Sequence, residues 1–85
     1  MKNFSYVVTD PQGIHARPAG LLVKAAAAFS SKTTITKDGK DVDAKKIIAV
    51  MSLGVKKDDE VTVTIDGPDE DTAFDSLKKF FEENL

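Results

Sequence analysis

Glu60-Val61-Thr62-Val63-Thr64-Ile65-Asp66 (EVTVTID, residues 60–66) carries an apolar side chain at every second position. A period of two belongs to a β-strand with one buried face and one polar face. Gly67-Pro68 ends it. Working outward, Phe4 to Thr9 (FSYVVT) repeats the pattern, with Phe4, Tyr6 and Val8 alternating against Ser5, Val7 and Thr9. Thr33 to Lys37 (TTITK) reads as a third strand. Asp38-Gly39 then turns the chain back into Lys40 to Val42, because a type I′ hairpin needs positive φ at both central residues.

Helical spacing fills the gaps between the strands. Ala16 to Phe29 contains four consecutive alanines, and Leu22, Ala26 and Phe29 fall on one face. Ser30-Ser31 ends this helix. Lys46 to Leu53 is a short apolar segment stopped by Gly54, a residue suited to a helix C′ position. Asp69 opens a last helix that runs to about Glu83. Its first turn collects Asp69, Glu70 and Asp71, as the helix dipole favours. Ala73, Phe74, Leu77, Phe80 and Phe81 form its apolar stripe. The order is β-α-β-β-α-β-α. Strands so few and short predict one antiparallel or mixed sheet with helices over one face, an α+β two-layer arrangement.

The 85 residues, 1–85, suit a single domain. Twelve basic and 14 acidic side chains give a formal net charge of −2, against the basic excess of general nucleic-acid binders. With no cysteine there is no disulfide or thiolate metal site, and a lone histidine excludes a His-rich one. No apolar run approaches the roughly 20 residues that span a bilayer. MKNFSYVVTD lacks the long apolar stretch of a signal peptide. The expectation is a soluble, cytoplasmic chain that inserts in no membrane.

The only histidine lies in Gly13-Ile14-His15-Ala16-Arg17-Pro18-Ala19-Gly20. Pro18 marks a first helical turn, where a missing N–H costs nothing. With His15 near the N-cap, the amides of Ala16 and Arg17 point outward without acceptors at the positive end of the helix dipole, a place that favours an anion. Arg17 adds a planar cation suited to phosphate oxygens. Ala16, Ala19 and Gly20 keep the approach uncrowded. A neutral ring nitrogen there is a competent nucleophile. These features fit phosphoryl transfer and simple binding of a phosphate or carboxylate equally well, and most lone histidines have no chemistry at all.

Gly13-Ile14-His15-Ala16-Arg17-Pro18-Ala19 resembles the active-site signature of the HPr family, the histidine-containing phosphocarriers of the bacterial sugar phosphotransferase system. Ile47-Ile48-Ala49-Val50-Met51-Ser52-Leu53-Gly54 resembles a second segment of the same family, of the Gram-positive type, at the right spacing. The length and element order also fit, so the resemblance covers nearly the whole chain. It implies an open-faced β-sandwich, a four-stranded antiparallel sheet with three helices on one face. It implies that His15 accepts a phosphoryl group at Nδ1 from phosphorylated enzyme I and passes it to the IIA component of a sugar permease. Arg17 would hold the phosphoryl group beside the first-turn amides of Ala16 and Arg17. No cofactor is implied, and the chemistry is completed by partner enzymes.

At about 100° per residue, Ala49, Val50 and Leu53 lie together while Ile47, Ile48 and Met51 lie roughly opposite. So short a helix does not bury both faces, and a covering loop is the plain explanation for the surplus. Methionine and large aliphatics suit an adaptable interface, so the surplus face reads instead as a docking patch, and the resemblance agrees, placing this helix beside the histidine in partner binding. The expected docking residues are Gly20, Ile47, Ile48 and Met51, with Lys24 and Lys45 adding positive charge. The family commonly carries a kinase-phosphorylated serine at the position of Lys46. Lysine has no hydroxyl to modify, and Ser52 is a weak substitute. Two rival functions share these residues. One is a carrier in a nitrogen-related or regulatory chain. The other is a protein-binding regulator that is never phosphorylated, against which the presence of His15 and Arg17 argues. A carrier that visits several partners is expected to be a monomer.

Overall fold

The computed structural model describes residues 1–85. Its strands are β1 (Lys2–Val7), β2 (Lys32–Lys37), β3 (Lys40–Asp43) and β4 (Glu60–Asp66), and its helices α1 (Ala16–Ala27), α2 (Ile47–Ser52) and α3 (Glu70–Asn84). The element order is the one read from the sequence. The strands form one antiparallel sheet in the order β1-β4-β2-β3, and the three helices cover one face of it, the open-faced α+β fold.

The period-two segment is the sheet's organiser. β4 pairs with β1 on one side and β2 on the other. Val61, Val63 and Ile65 are buried under the helices, while Thr62 and Thr64 stay half-exposed. Register aligns Phe4, Val63, Ile35 and Val42 across all four strands on the helix side. On the open side Ser5, Thr62, Thr36 and Asp41 align. Asp38 and Gly39 both adopt positive φ, 51° and 80°, as the hairpin requires.

Leu22, Ala26, Ala73, Leu77 and Phe81 bring α1 and α3 onto the sheet. Phe4 meets Phe74 and Phe81 edge-to-face at 5.4 and 5.6 Å between ring centroids.

The boundaries shift at most ends. β1 occupies Lys2–Val7 rather than Phe4 to Thr9, because the Thr9 amide leaves the sheet to bond the main-chain oxygen of Leu85. Helix α1 stops at Ala27, and Phe29 lies past its end, half-buried against the core. β2 begins at Lys32 and β3 runs to Asp43. Lys46 and Leu53 are the caps of α2 rather than its turns. Asp69 is the N-cap of α3, but its carboxylate turns away from that helix. It accepts the Ser30 and Ser31 amides, each at 2.9 Å, and the Ser31 hydroxyl. These bonds hold the Asp69 carboxyl down at about 2. Glu70, next in line, accepts the Gly67 amide and the Met1 ammonium.

Candidate functional site

His15 is the N-cap of α1, with extended backbone (φ −104°, ψ −173°). The first helical bond runs from the Ala19 amide to the His15 carbonyl at 2.9 Å. The amides of Ala16 and Arg17 have no acceptor in the protein, and Pro18 has no N–H to satisfy. Two unused donors and the positive dipole end therefore share one place. The His15 imidazole, half-buried, and the exposed Arg17 guanidinium make no hydrogen bond or ion pair. Both line a shallow concavity of about 280 Å³ with Asp10, Pro18, Leu21 and Asn84.

The chain enters this site through a tight crossing. Gly13 has φ +67°, and a Cβ on it would sit 2.2 Å from the Val55 carbonyl oxygen and 2.6 Å from Lys56 Cα. The Ile14 amide bonds that same carbonyl at 3.1 Å. The loop before His15 is thereby stitched to the loop after α2. From the other end of the chain, the main-chain oxygen of Leu85 accepts the Asp10 amide at 2.8 Å and the Thr9 hydroxyl at 3.0 Å. That tie carries Asn84 to the edge of the concavity.

Helix α2 packs beside α1, with Ile47 next to Gly20. A Cβ there would lie 3.7 Å from Ile47 Cδ1. That is an ordinary van der Waals separation, so Gly20 marks where the two helices meet and an alanine would fit in its place. Ile47, Ile48 and Met51 are 41, 81 and 43 % exposed, and Leu21 adds its own exposed surface. Val50 and Leu53 are buried beneath them and Ala49 is half-buried, so the helix divides as its periodicity predicts. No loop covers the outer face.

The three lysines differ. Lys24 is exposed on α1. Lys45 is half-buried, and its ammonium donates to the Phe29 carbonyl at 2.7 Å. It closes the C-terminal end of α1, where a cation complements the dipole, so its charge is not free in the way the sequence suggested. Lys46 is exposed at the N-cap of α2 and makes no side-chain cap. The Ser52 hydroxyl is spent on the Ala49 carbonyl at 2.6 Å.

Sequence reasoning missed three contributors. Lys37 Nζ reaches the Gly54 carbonyl at 3.0 Å, the Leu53 carbonyl at 3.5 Å and the Asp59 carboxylate at 2.9 Å, pinning the C-terminal end of α2. The hydrogen bond it donates lowers the Asp59 carboxyl, helped by the bond from the Lys56 amide. Nothing in TTITK distinguishes that lysine from a solvated one. Asp10 and Asn84 reach the concavity only through the tie between the two ends of the chain.

A family model described as the PTS HPr component phosphorylation site matches residues 2–83. A phosphocarrier protein HPr of Mycoplasma genitalium is 41 % identical over 85 residues, which cover 99 % of this chain and 97 % of the relative. Among solved structures, a histidine-containing phosphocarrier protein from a mycoplasma superposes with a TM-score of 0.93 at 39 % identity, covering 96 % of this chain and 93 % of its own. Crh, a catabolite-repression protein of Bacillus subtilis described as a swapped dimer, superposes with a TM-score of 0.79 at 41 % identity, with 88 and 86 % covered.

Proposed function

Since the chain belongs to the HPr family of phosphocarrier proteins, we propose that it carries a phosphoryl group on His15, taken from phosphorylated enzyme I and delivered to IIA components for sugar uptake. The observation that carries this reading is the convergence at the start of α1 of an imidazole without an internal partner, two amides without acceptors and a free guanidinium.

In the forward step the lone pair of His15 Nδ1 attacks phosphorus as the donor's bond to phosphorus breaks. Phosphoryl transfer asks the protein mainly for position and for charge stabilisation on the equatorial oxygens. The Ala16 and Arg17 amides and the helix dipole supply fixed partial charge. Arg17 supplies a planar double donor. Donor and acceptor partners bring the remaining groups, so the protein acts as a carrier rather than an autonomous enzyme.

Ile47, Ile48, Met51 and Leu21, beside Gly20, form the docking surface in this reading, with Lys24 at its margin. A monomer in the cytoplasm is the working form, leaving the concavity and the patch open to successive partners. Size-exclusion chromatography with light scattering tests that state. A regulatory kinase acting on serine in relatives finds no acceptor at Lys46.

The primary test is incubation with phosphoenolpyruvate and a cognate enzyme I shown to be active on another HPr, followed by intact mass and ³¹P NMR. The expected result is an acid-labile gain of one phosphoryl group that the His15→Ala variant loses. An unmodified wild type under those conditions refutes the reading.

A further inference from the structure

We propose that Asp10 is a charge-tuning residue for the phosphorylated state, lowering the stability of the phosphoryl group on His15 and so promoting its departure to acceptors. The inference rests on the phosphocarrier reading above and deepens it.

Asp10 is half-buried and lines the same concavity as His15 and Arg17. Its place there is built. Its amide donates to the main-chain oxygen of Leu85 at 2.8 Å, and its carbonyl accepts the Gly13 amide at 2.9 Å. One carboxylate oxygen, Oδ1, accepts the Gln12 amide at 2.8 Å. The other has no donor in the protein, and no cation lies within ion-pair distance. An anion is thus fixed at the rim of a site whose remaining features, two bare amides, a dipole end and Arg17, all attract an anion.

Before phosphorylation Asp10 and Arg17 contribute opposite charges to the same concavity. A phosphoryl group on His15 carries up to two negative charges and enters the concavity that both line. Arg17 then attracts it while Asp10 repels it, and the repulsion exists only in the phosphorylated state. Transfer out breaks the bond between ring nitrogen and phosphorus, returns the electron pair to nitrogen and places the phosphoryl group on the acceptor nucleophile. Relief of the repulsion favours that direction and costs nothing in the empty protein. Through a solvent-exposed rim the effect is about threefold to tenfold in the transfer equilibrium, and salt weakens it.

Asp10→Asn keeps the acceptor oxygen for Gln12 and removes the charge, since asparagine supports the same side-chain turn. Asp10→Glu keeps the charge. Each protein is equilibrated with phosphoenolpyruvate, pyruvate and catalytic enzyme I, and the ratio of phosphorylated to free protein is read by ³¹P NMR and intact mass. Asp10→Asn is expected to raise that ratio about threefold to tenfold at low salt and by less than about twofold at 1 M salt, with Asp10→Glu staying near wild type. A ratio within about twofold of wild type at low salt for Asp10→Asn, with His15 phosphorylated normally, overturns the proposal and leaves the carrier reading standing. So does an Asp10→Glu variant that behaves like Asp10→Asn, because retaining the negative charge would then fail to preserve the wild-type ratio. Absence of phosphorylation in wild type and variants alike overturns both.

Discussion

Replacing Gly13 by alanine should be far more damaging than the same change at Gly54, although the two glycines have nearly the same φ. Gly13 has φ +67° and Gly54 φ +62°. The left-handed conformation costs an alanine about 1–2 kcal/mol at either position. The surroundings differ. Around Gly54 there is no atom within 4 Å of the new Cβ. At Gly13 it meets the Val55 carbonyl oxygen at 2.2 Å and Lys56 Cα at 2.6 Å. These are main-chain atoms and have no rotamer to escape into, so the two loops must part. Overpacking of that kind costs a further 1–3 kcal/mol or so, and losing the bond from the Ile14 amide to Val55 adds about 0.5–1.5 kcal/mol. Gly54→Ala is therefore expected to cost about 1–2 kcal/mol and Gly13→Ala about 3–6 kcal/mol. At about 4–8 °C per kcal/mol for a chain of this size, the melting points should separate by at least about 6 °C. Urea unfolding followed by far-UV circular dichroism, with the slope compared between variants, gives the two free energies. Equal losses, within about 0.5 kcal/mol, would refute the crossing of the two loops as the reason for Gly13. At a temperature where Gly13→Ala remains folded, phosphorylation of His15 should also slow, since the displaced loop ends two residues before it.

Asp69 predicts an acid transition. Its folded pKa is about 2 against an ordinary 3.8, so its contribution is complete above about pH 4 and is lost as the pH falls through 3.8 toward 2; Asp69→Asn should flatten that part of the stability–pH curve measured by urea titration. Thr33 Oγ1 is buried without a partner, and Thr33→Val is expected to be neutral or stabilising by up to about 1–2 kcal/mol in the same assay. Lys37→Met removes the pin on α2, and should cost about 1–2 kcal/mol and speed amide hydrogen exchange at Leu53 and Gly54 over that of β4. Ile48→Asp should leave stability within about 0.5 kcal/mol, because the side chain is 81 % exposed, while raising the KM that enzyme I shows for the protein.

Periodicity made most of the architecture readable before any coordinates. EVTVTID alternates so cleanly that its inner face, Val61, Val63 and Ile65, followed without ambiguity. Asp38-Gly39 needed only a turn rule, and the two faces of α2 needed only an angle. His15 and Arg17 were visible because a proline and two small residues mark a helix start. What stayed hidden depends on chain segments distant in sequence. Asp69 looked like a dipole residue and instead clamps Ser30 and Ser31. Lys45 looked like a solvated cation and closes α1. Gly20 looked like open surface and lies beside Ile47. No local pattern distinguishes a lysine that will meet a carbonyl 16 or 17 residues away from one that meets water.

The tie between Leu85 and the loop at Thr9 and Asp10 also sets a schedule for synthesis. A ribosome delivers about 5–20 residues each second, from the N-terminus onward. His15 and Arg17 emerge early, and α1 has its sequence in full before any of β4 exists. Yet β1 has no neighbour until Glu60–Asp66 arrives, and the concavity has no far rim until Asn84 does. A nascent chain therefore exposes its histidine for seconds without the completed concavity around it. The part of the molecule most easily recognised on paper is among the last to be completed in space.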